Sequence, residues 1–312
     1  MKKKILIIIS IILSIIIIIT TTMYYKYYKP ISNTNQPEED NQSQIQMKDS
    51  DLNISQETKE KSKENNIENL LILGIDKQEN ASDTIDVLSL NRNNKTAKLT
   101  SIMRDTYVYF GDNMANKINY AYHYGGVPLT ISKLNELFQL DISKYIKVDF
   151  EGLINTVDTL GGITISITDE ERAYINGSCK DKYLDKSGEV LLNGEQTLVF
   201  SRLRKIDSDF QRTARHRKIL FAIFRKLKDV SITDYNKIYS EMSPYIETNL
   251  SAFEIIKFGL LCNKLGAENL QDFRIPIDGT TKDNTNGVYH LDWDKDKNTE
   301  ALHKFIYGDA QN

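Results

Sequence analysis

Two short runs, Phe200-Ser201-Arg202-Leu203-Arg204 and Asp209-Phe210-Gln211-Arg212-Thr213-Ala214-Arg215-His216, gather groups suited to binding an anion. Six of the ten arginines fall between Arg202 and Arg225, in a chain that otherwise prefers lysine. Lysine carries the same charge, so the choice of arginine points to its planar fork, which holds carboxylate or phosphate through paired hydrogen bonds. A solvated basic helix is the plain alternative. Helix phase argues against it. At about 100° per residue, Arg212 and His216 share a face with Leu220, Ile223, Phe224 and Leu227, while Gln211, Lys218 and Arg225 fall on the opposite side. An inward arginine needs acidic side chains or an anionic ligand as partner, and the ligand is favoured here. Arg217 and Arg225 are expected to face water.

Three acidic residues stand at predicted strand ends: Asp76, Asp83 and Asp105, the last preceded by Arg104. Ends of adjacent strands are where open α/β sheets place ligands. Two convergent carboxylates suit a hard cation such as Mg2+, which takes few protein carboxylates together with phosphate oxygens. Taken singly, each residue also has an ordinary use. An aspartate can close a turn, Asp209 can cap its helix, Arg104 with Asp105 can be a surface ion pair, and His216 can be a satisfied core histidine.

The elements that must position these groups are legible in outline. Asn69–Asp76 reads as a buried strand, and Ile85–Asn91 with Ala97–Met103 as a hairpin about Asn93-Asn94-Lys95. Pro128–Phe138 has helical spacing. Tyr145–Phe150 is a strand followed by a short helix to Leu160, and Ile163–Ile167 alternates as a strand. A helix runs from Asp209 to Leu227, and Ser251-Ala252-Phe253-Glu254 is a capping box opening another through Leu265. Phe273–Ile277 and Val288–Leu291 read as strands, and Asn298–Ile306 as a last helix. Glu171–Val190 looks polar and loop-like. Such alternation implies a sheet covered on both faces, in one domain over residues 67–312.

Before that domain, Lys2, Lys3 and Lys4 precede an apolar run from Ile5 to Ile19, extended by Thr20–Met23 and a belt of tyrosines from Tyr24 to Tyr28. The run is long enough to cross a bilayer, and the lysines keep its start cytoplasmic. A cleaved signal peptide is the rival, but no small-residue cleavage site follows. Residues 1–29 are thus read as a membrane anchor and residues 30–66, polar and poor in apolar groups, as a disordered extracellular linker. The net charge of −3 and the external topology argue against nucleic acid as a partner. Cys179 and Cys262 can pair in an oxidising compartment or remain inert thiols, and they lack metal-site spacing.

The ordered motifs resemble the LytR–CpsA–Psr family of Gram-positive bacteria. They are Leu70-Leu71-Ile72-Leu73-Gly74-Ile75-Asp76, Ser82-Asp83-Thr84, Ser101-Ile102-Met103-Arg104-Asp105-Thr106, Lys117-Ile118-Asn119-Tyr120-Ala121-Tyr122, Val157-Asp158-Thr159-Leu160-Gly161-Gly162, Leu192-Asn193-Gly194-Glu195-Gln196, Arg202-Leu203-Arg204 and Asp209-Phe210-Gln211-Arg212. The resemblance implies a three-layer α/β/α fold with a central mixed sheet and a hydrophobic polyprenyl-binding pocket. It also implies transfer of a teichoic acid or capsule-like glycopolymer from polyprenyl pyrophosphate to a peptidoglycan acceptor at the cytoplasmic membrane. Asp76 and Asp83 would then hold Mg2+, with Mn2+ an alternative. Arg104, Arg202 and Arg204 would engage the pyrophosphate, supported by Asp209 and Arg212, with Asp105 assisting deprotonation of the acceptor.

Two positions depart from the family pattern, Ala81 where arginine is usual and His216 where glutamine is usual. Arg215 and His216 join the substrate-binding set, Arg215 to replace the lost arginine and His216 as a group titrating at about pH 6.5. A non-catalytic polyprenyl-phosphate binding protein, a pyrophosphatase and a transcriptional attenuator are the other readings. The attenuator is disfavoured by the absence of a basic helix-turn-helix pattern.

Overall fold

The computed structural model describes residues 48–111, 114–179, 183–203, 209–231, 234–255, 257–258 and 270–308. The anchor expected over residues 1–29, Arg204 and Cys262 lie outside them. Among the described residues, no helix is long and apolar enough to cross a membrane.

The ordered chain begins before residue 67. Leu52 is buried in the core, and helix α1 (Gln56–Glu64) is capped by the Ser55 side chain, which accepts from the Thr58 N–H. The expected linker over residues 30–66 is thus corrected over residues 56–64, which are helical, while residues 30–47 lie outside the described residues. The helix sequence, QETKEKSKE, reads as a tether because the face it buries is made of Thr58 and Ser62 instead of aliphatics.

Strands β1 (Ile67–Asp76), β2 (Ala81–Asn91) and β3 (Thr96–Ile102) form an antiparallel meander. A small hairpin follows, β4 (Tyr107–Gly111) with β5 (Met114–Lys117). Helix α2 (Tyr120–Phe138) is kinked at Gly125 and Gly126, so the predicted segment Pro128–Phe138 is its regular second half. Strand β6 (Lys144–Asp149) pairs parallel to β1 and leads straight into α3 (Phe150–Thr159).

Strand β7 (Ile163–Ile167), helix α4 (Asp169–Ser178), strand β8 (Gly188–Leu192) and helix α5 (Gly194–Ser201) then form a lobe beside the sheet. Much of the segment expected to be a loop is thus α4, started by a Thr168–Glu171 capping box. Helix α6 (Asp209–Lys228) matches its predicted span to within a residue. Helix α7 (Tyr235–Met242), strands β9 (Ile246–Thr248), β10 (Leu270–Ile275), β11 (Thr281–Asn284) and β12 (His290–Trp293), and helix α8 (Lys295–Tyr307) complete the described elements.

The central sheet is mixed, in the order β10-β3-β2-β1-β6-β9. Alternation along β1 sends Leu71, Leu73 and Ile75 to one face, against Ile131 and Leu134 of α2 and Leu302 of α8. Leu70 and Ile72 go to the other face, with Leu220 and Phe224 of α6. On its far side α6 also packs Ile219 and Ala222 into the β7–β8 lobe. It is a helix held between two apolar surfaces, which is why so many of its side chains are covered. Fully burying each such aliphatic side chain contributes about 1.5–3 kcal/mol.

Candidate active site

The parallel pair β1 and β6 ends at Asp76 and Asp149, and a cavity of about 240 Å³ opens beyond these ends, between the sheet, the start of α3 and one face of α6. Local chemistry shapes its rim. Between Gly74 and Ile75 the β1–β2 register slips, so Gly74 faces Thr84 and Ile75 faces Ser82, leaving Asp83 as the extra residue of a β-bulge. Neighbours on a regular strand point to opposite faces, but a bulge re-aims one of them. Both Asp83 and Thr84 accordingly line the cavity. A Cβ on Gly74 would crowd the Thr84 side chain at 3.1 Å, so the glycine leaves that hydroxyl room to act.

The Thr84 hydroxyl lies 2.9 Å from His216 Nδ1, and His216 Nε2 lies 3.0 Å from the Ser201 carbonyl oxygen. The carbonyl can only accept, so Nε2 carries the proton and Nδ1 accepts from Thr84. Burial, together with the Arg212 charge, pushes the His216 pKa down to about 4. The expected titration at about pH 6.5 is therefore corrected: the imidazole is neutral near neutrality. With one donor and one acceptor, it offers the hydrogen-bonding complement of a carboxamide.

Arg202, at the C-terminal cap of α5, stacks on the Phe150 ring at 4.4 Å, is exposed, and makes no ion pair among the described residues. Arg212 reaches the cavity from α6 with its side chain 3% exposed and is braced by Asp209 at 2.7 Å. Asp209 braces from behind; it does not line the cavity. Arg104 stands behind the rim as well, paired with Asp83 and 3.8 Å from both Glu79 and Asp105. Although burial alone would lower its pKa, these carboxylates and Asp209 hold it above the usual value.

Asp76 keeps one foot in its turn, where Oδ1 accepts from the Gln78 N–H at 2.8 Å and the Glu79 N–H at 3.3 Å, yet it makes no ion pair among the described residues. Two rim groups were missed in the sequence. Glu79 is one. Asp149 is the other; it caps α3 through the Gly152 N–H at 2.8 Å and pairs with Lys77. The Asp149-Phe150-Glu151-Gly152 run after a strand was a helix-start signal that could have flagged it.

Asp105 sits outside the cavity, buried against Lys117 at 2.9 Å and 3.8 Å from Arg104. Two expectations are corrected. Arg215 points into the seam between α6 and α4, where it bonds the Leu203 carbonyl and lies 3.4 Å from Glu171. It cannot replace an arginine at position 81, where Ala81 is itself buried opposite Asp76. Arg217 does not face water: its Nε donates to Asp272 at 2.6 Å. Gln211, Lys218 and Arg225 are exposed as helix phase required.

Charge balance bears on a metal. Four carboxylates line the cavity, Asp76, Glu79, Asp83 and Asp149, against two guanidinium groups. Arg104 and Lys77 pair with two of them and Asp209 pairs with Arg212, so the rim carries no net positive charge. A polyanion placed here needs additional positive charge. Among the described residues, no group of three or more His, Cys, Asp or Glu side chains could hold a metal ion. Asp76 and Asp83, both at the rim, are carboxylate oxygen donors of the kind a hard divalent cation takes.

Aliphatic groups such as Ile72, Leu153, Ile219 and Leu220 form the inner walls, and the charged groups form the rim. The cavity of this mixed α/β fold is thus amphiphilic, apolar within and charged at its mouth. The chain belongs to the LytR_cpsA_psr family, whose model matches residues 21–305. It is 32% identical over 218 residues to the polyisoprenyl-teichoic acid–peptidoglycan teichoic acid transferase TagU of Bacillus cereus, covering 67% of this chain and 69% of that one. TagT of Bacillus subtilis, described in the same terms, is 32% identical over 213 residues, 65% of this chain and 66% of that protein. A solved structure of TagT bound to LIIa-WTA superposes with a TM-score of 0.66 at 28% identity, covering 77% of this chain and 91% of the other. With these relatives the chain is an enzyme of the transferase class.

Proposed function

We propose that this protein transfers a glycopolymer, a teichoic acid or a capsule-like polysaccharide, from a polyprenyl pyrophosphate carrier to peptidoglycan. The observation that carries the proposal is the amphiphilic cavity, with aliphatic walls deep inside and Arg202 and Arg212 at the rim. The names of the relatives agree with it. In this reading the prenyl chain enters between the sheet and α6, and the two guanidinium groups take phosphate oxygens. Arg104 holds Asp83 in place. An acceptor hydroxyl gives its proton to a base, for which Asp105 is the candidate, and forms a bond to the phosphorus that carries the glycan, while the P–O bond to the bridging oxygen breaks and polyprenyl phosphate leaves. Such transfers rest on positioning and charge stabilisation, so no nucleophilic side chain is required.

Asp76 and Asp83 are the residues that would hold Mg2+ or Mn2+, which when bound would offset charge on the pyrophosphate. The apolar segment near the N-terminus fits a protein anchored in the cytoplasmic membrane with its catalytic domain outside. Mass spectrometry of lipid retained by the purified chain, together with glycan transfer by Arg202→Ala, tests the reading. A retained polyprenyl phosphate or pyrophosphate and a large loss of transfer are expected. Near-normal transfer by a folded Arg202→Ala protein would overturn the assignment of that residue.

A further inference from the structure

Just outside the cavity rim, the chain from Arg104 runs directly into β4, whose two faces differ. Val108 is 2% exposed and packs in the core, whereas Tyr109 is 67% exposed. On the outer face, the Tyr107 ring stacks on His290 with centroids 4.0 Å apart at 22°, and the Tyr109 ring stands edge-on to Tyr107 at 6.0 Å. Val288 and Tyr289, beside His290, are 71% and 41% exposed. Lys117 is the register partner of Tyr107 on β5, and its Nζ meets Asp105 at 2.9 Å. The row of rings thus ends at an ammonium–carboxylate pair next to Arg104.

The row is firmly built. The Trp293 indole N–H donates to the Tyr107 carbonyl at 2.8 Å, the Leu291 N–H donates to the Asp105 carbonyl at 2.8 Å, and a parallel bridge joins Thr106 to Leu291. These bonds fix β12 against β4, so the stacked Tyr107 and His290 rings are held before any ligand binds.

We infer that this shelf, formed by Tyr107, Tyr109 and His290 and ending at Asp105 and Lys117, is the subsite for the acceptor glycan strand. The inference rests on the proposed transferase reading. A sugar ring presents weakly positive C–H groups on its faces and hydroxyls at its edges. Tyrosine faces attract the former, and the part-exposed Lys117 ammonium, held by Asp105, can bond the latter. Position distinguishes acceptor from donor. The cavity takes the lipid and its pyrophosphate from the α6 side, and the second substrate must approach the phosphorus from the solvent side of Arg104 and Asp105. The shelf lies there. The charged groups around it, Lys117, Asp283 and Asp292, suit a hydrated saccharide better than the desolvated centre of a protein interface.

The test uses the full chain in detergent with two probes, a soluble β-1,4-linked N-acetylhexosamine oligosaccharide and a short-chain prenyl pyrophosphate. Tyr109→Ala is expected to weaken oligosaccharide binding about tenfold, Tyr109→Phe to keep it within about twofold, and both to bind the prenyl pyrophosphate as the parent does. In a transfer assay, Tyr109→Ala should raise the KM for the glycan and leave that for the lipid donor unchanged. The inference is overturned if the parent does not bind the oligosaccharide, if Tyr109→Ala binds it equally well, if Phe loses as much as Ala, or if only donor affinity changes. Failure of the parent to bind prenyl pyrophosphate would instead sink the transferase reading, with the oligosaccharide titration still deciding the shelf.

Discussion

Arg212 and Arg215 lie one turn apart on α6, their side chains 3% and 2% exposed. Arg212 is braced by Asp209 and reaches the cavity; Arg215 is spent on Glu171 and the Leu203 carbonyl in the seam against α4. The carboxylate that meets Arg215 also serves as the capping-box residue of α4, where its Oε2 accepts from the Thr168 N–H at 3.0 Å. Burial of an arginine therefore says only that a partner exists. Whether the partner is a neighbouring helix or a ligand depends on which of the two apolar surfaces flanking α6 the side chain meets.

The contrast can be broken or sharpened by substitution along this region. Arg215→Ala should show the largest effect, about 3–5 kcal/mol of lost stability in urea unfolding, because it strands a buried Glu171 carboxylate. A loss under 1 kcal/mol would mean the seam tolerates the charge, and the contrast would fail. Arg202→Ala should do the reverse. Its side chain is exposed and holds no carboxylate among the described residues, so urea unfolding should show no more than about 1 kcal/mol lost with the Phe150 stacking, while affinity for a prenyl pyrophosphate falls about 10- to 100-fold.

His216→Gln should have a smaller and pH-dependent effect. The folded-state pKa near 4 lies below the ordinary 6.5, so between those values the unfolded chain takes up a proton that the folded chain refuses. The His216 contribution is complete above about pH 6.5 and is lost as pH falls toward 4. Glutamine, which does not titrate, should flatten that part of the stability-versus-pH curve and keep activity within a few-fold. An unaltered slope would show that His216 is not held neutral. Arg225→Ala, on the solvent face of the same helix, should change stability by less than about 0.5 kcal/mol. A larger loss would show that this face has a partner.

Helix phase alone placed Arg212 and His216 inward and Gln211, Lys218 and Arg225 outward, because a twenty-residue amphipathic helix carries a strong periodic signal. The β1 strand and the β2–β3 hairpin were readable for a similar reason, dense aliphatic runs bounded by asparagine turns. What stayed hidden is non-local or hydrophilic. Glu171 is 44 residues from Arg215 and Asp272 is 55 from Arg217, so no sequence window pairs them. The bulge at Asp83 depends on how two strands register, although the Ser82-Asp83-Thr84 run itself was noticed. Helix α1 buries threonine and serine, and α4 is polar along most of its length, so neither stands out from loop composition.

Helix α1 has a consequence of a different kind. Lys61 contacts His303 of α8 across 242 residues at 3.0 Å, and Ser62 meets Tyr307 across 245 residues at 3.1 Å. The first and last described helices thus close on each other. Contacts of such long range are costly to form early, because the intervening loop must be closed first. A chain emerging N-terminus first cannot complete this closure until its final helix is released. The C-terminal half of α8, with His303 and Tyr307, acts as a latch on assembly, and losing it should loosen the opening helix even with every cavity residue present.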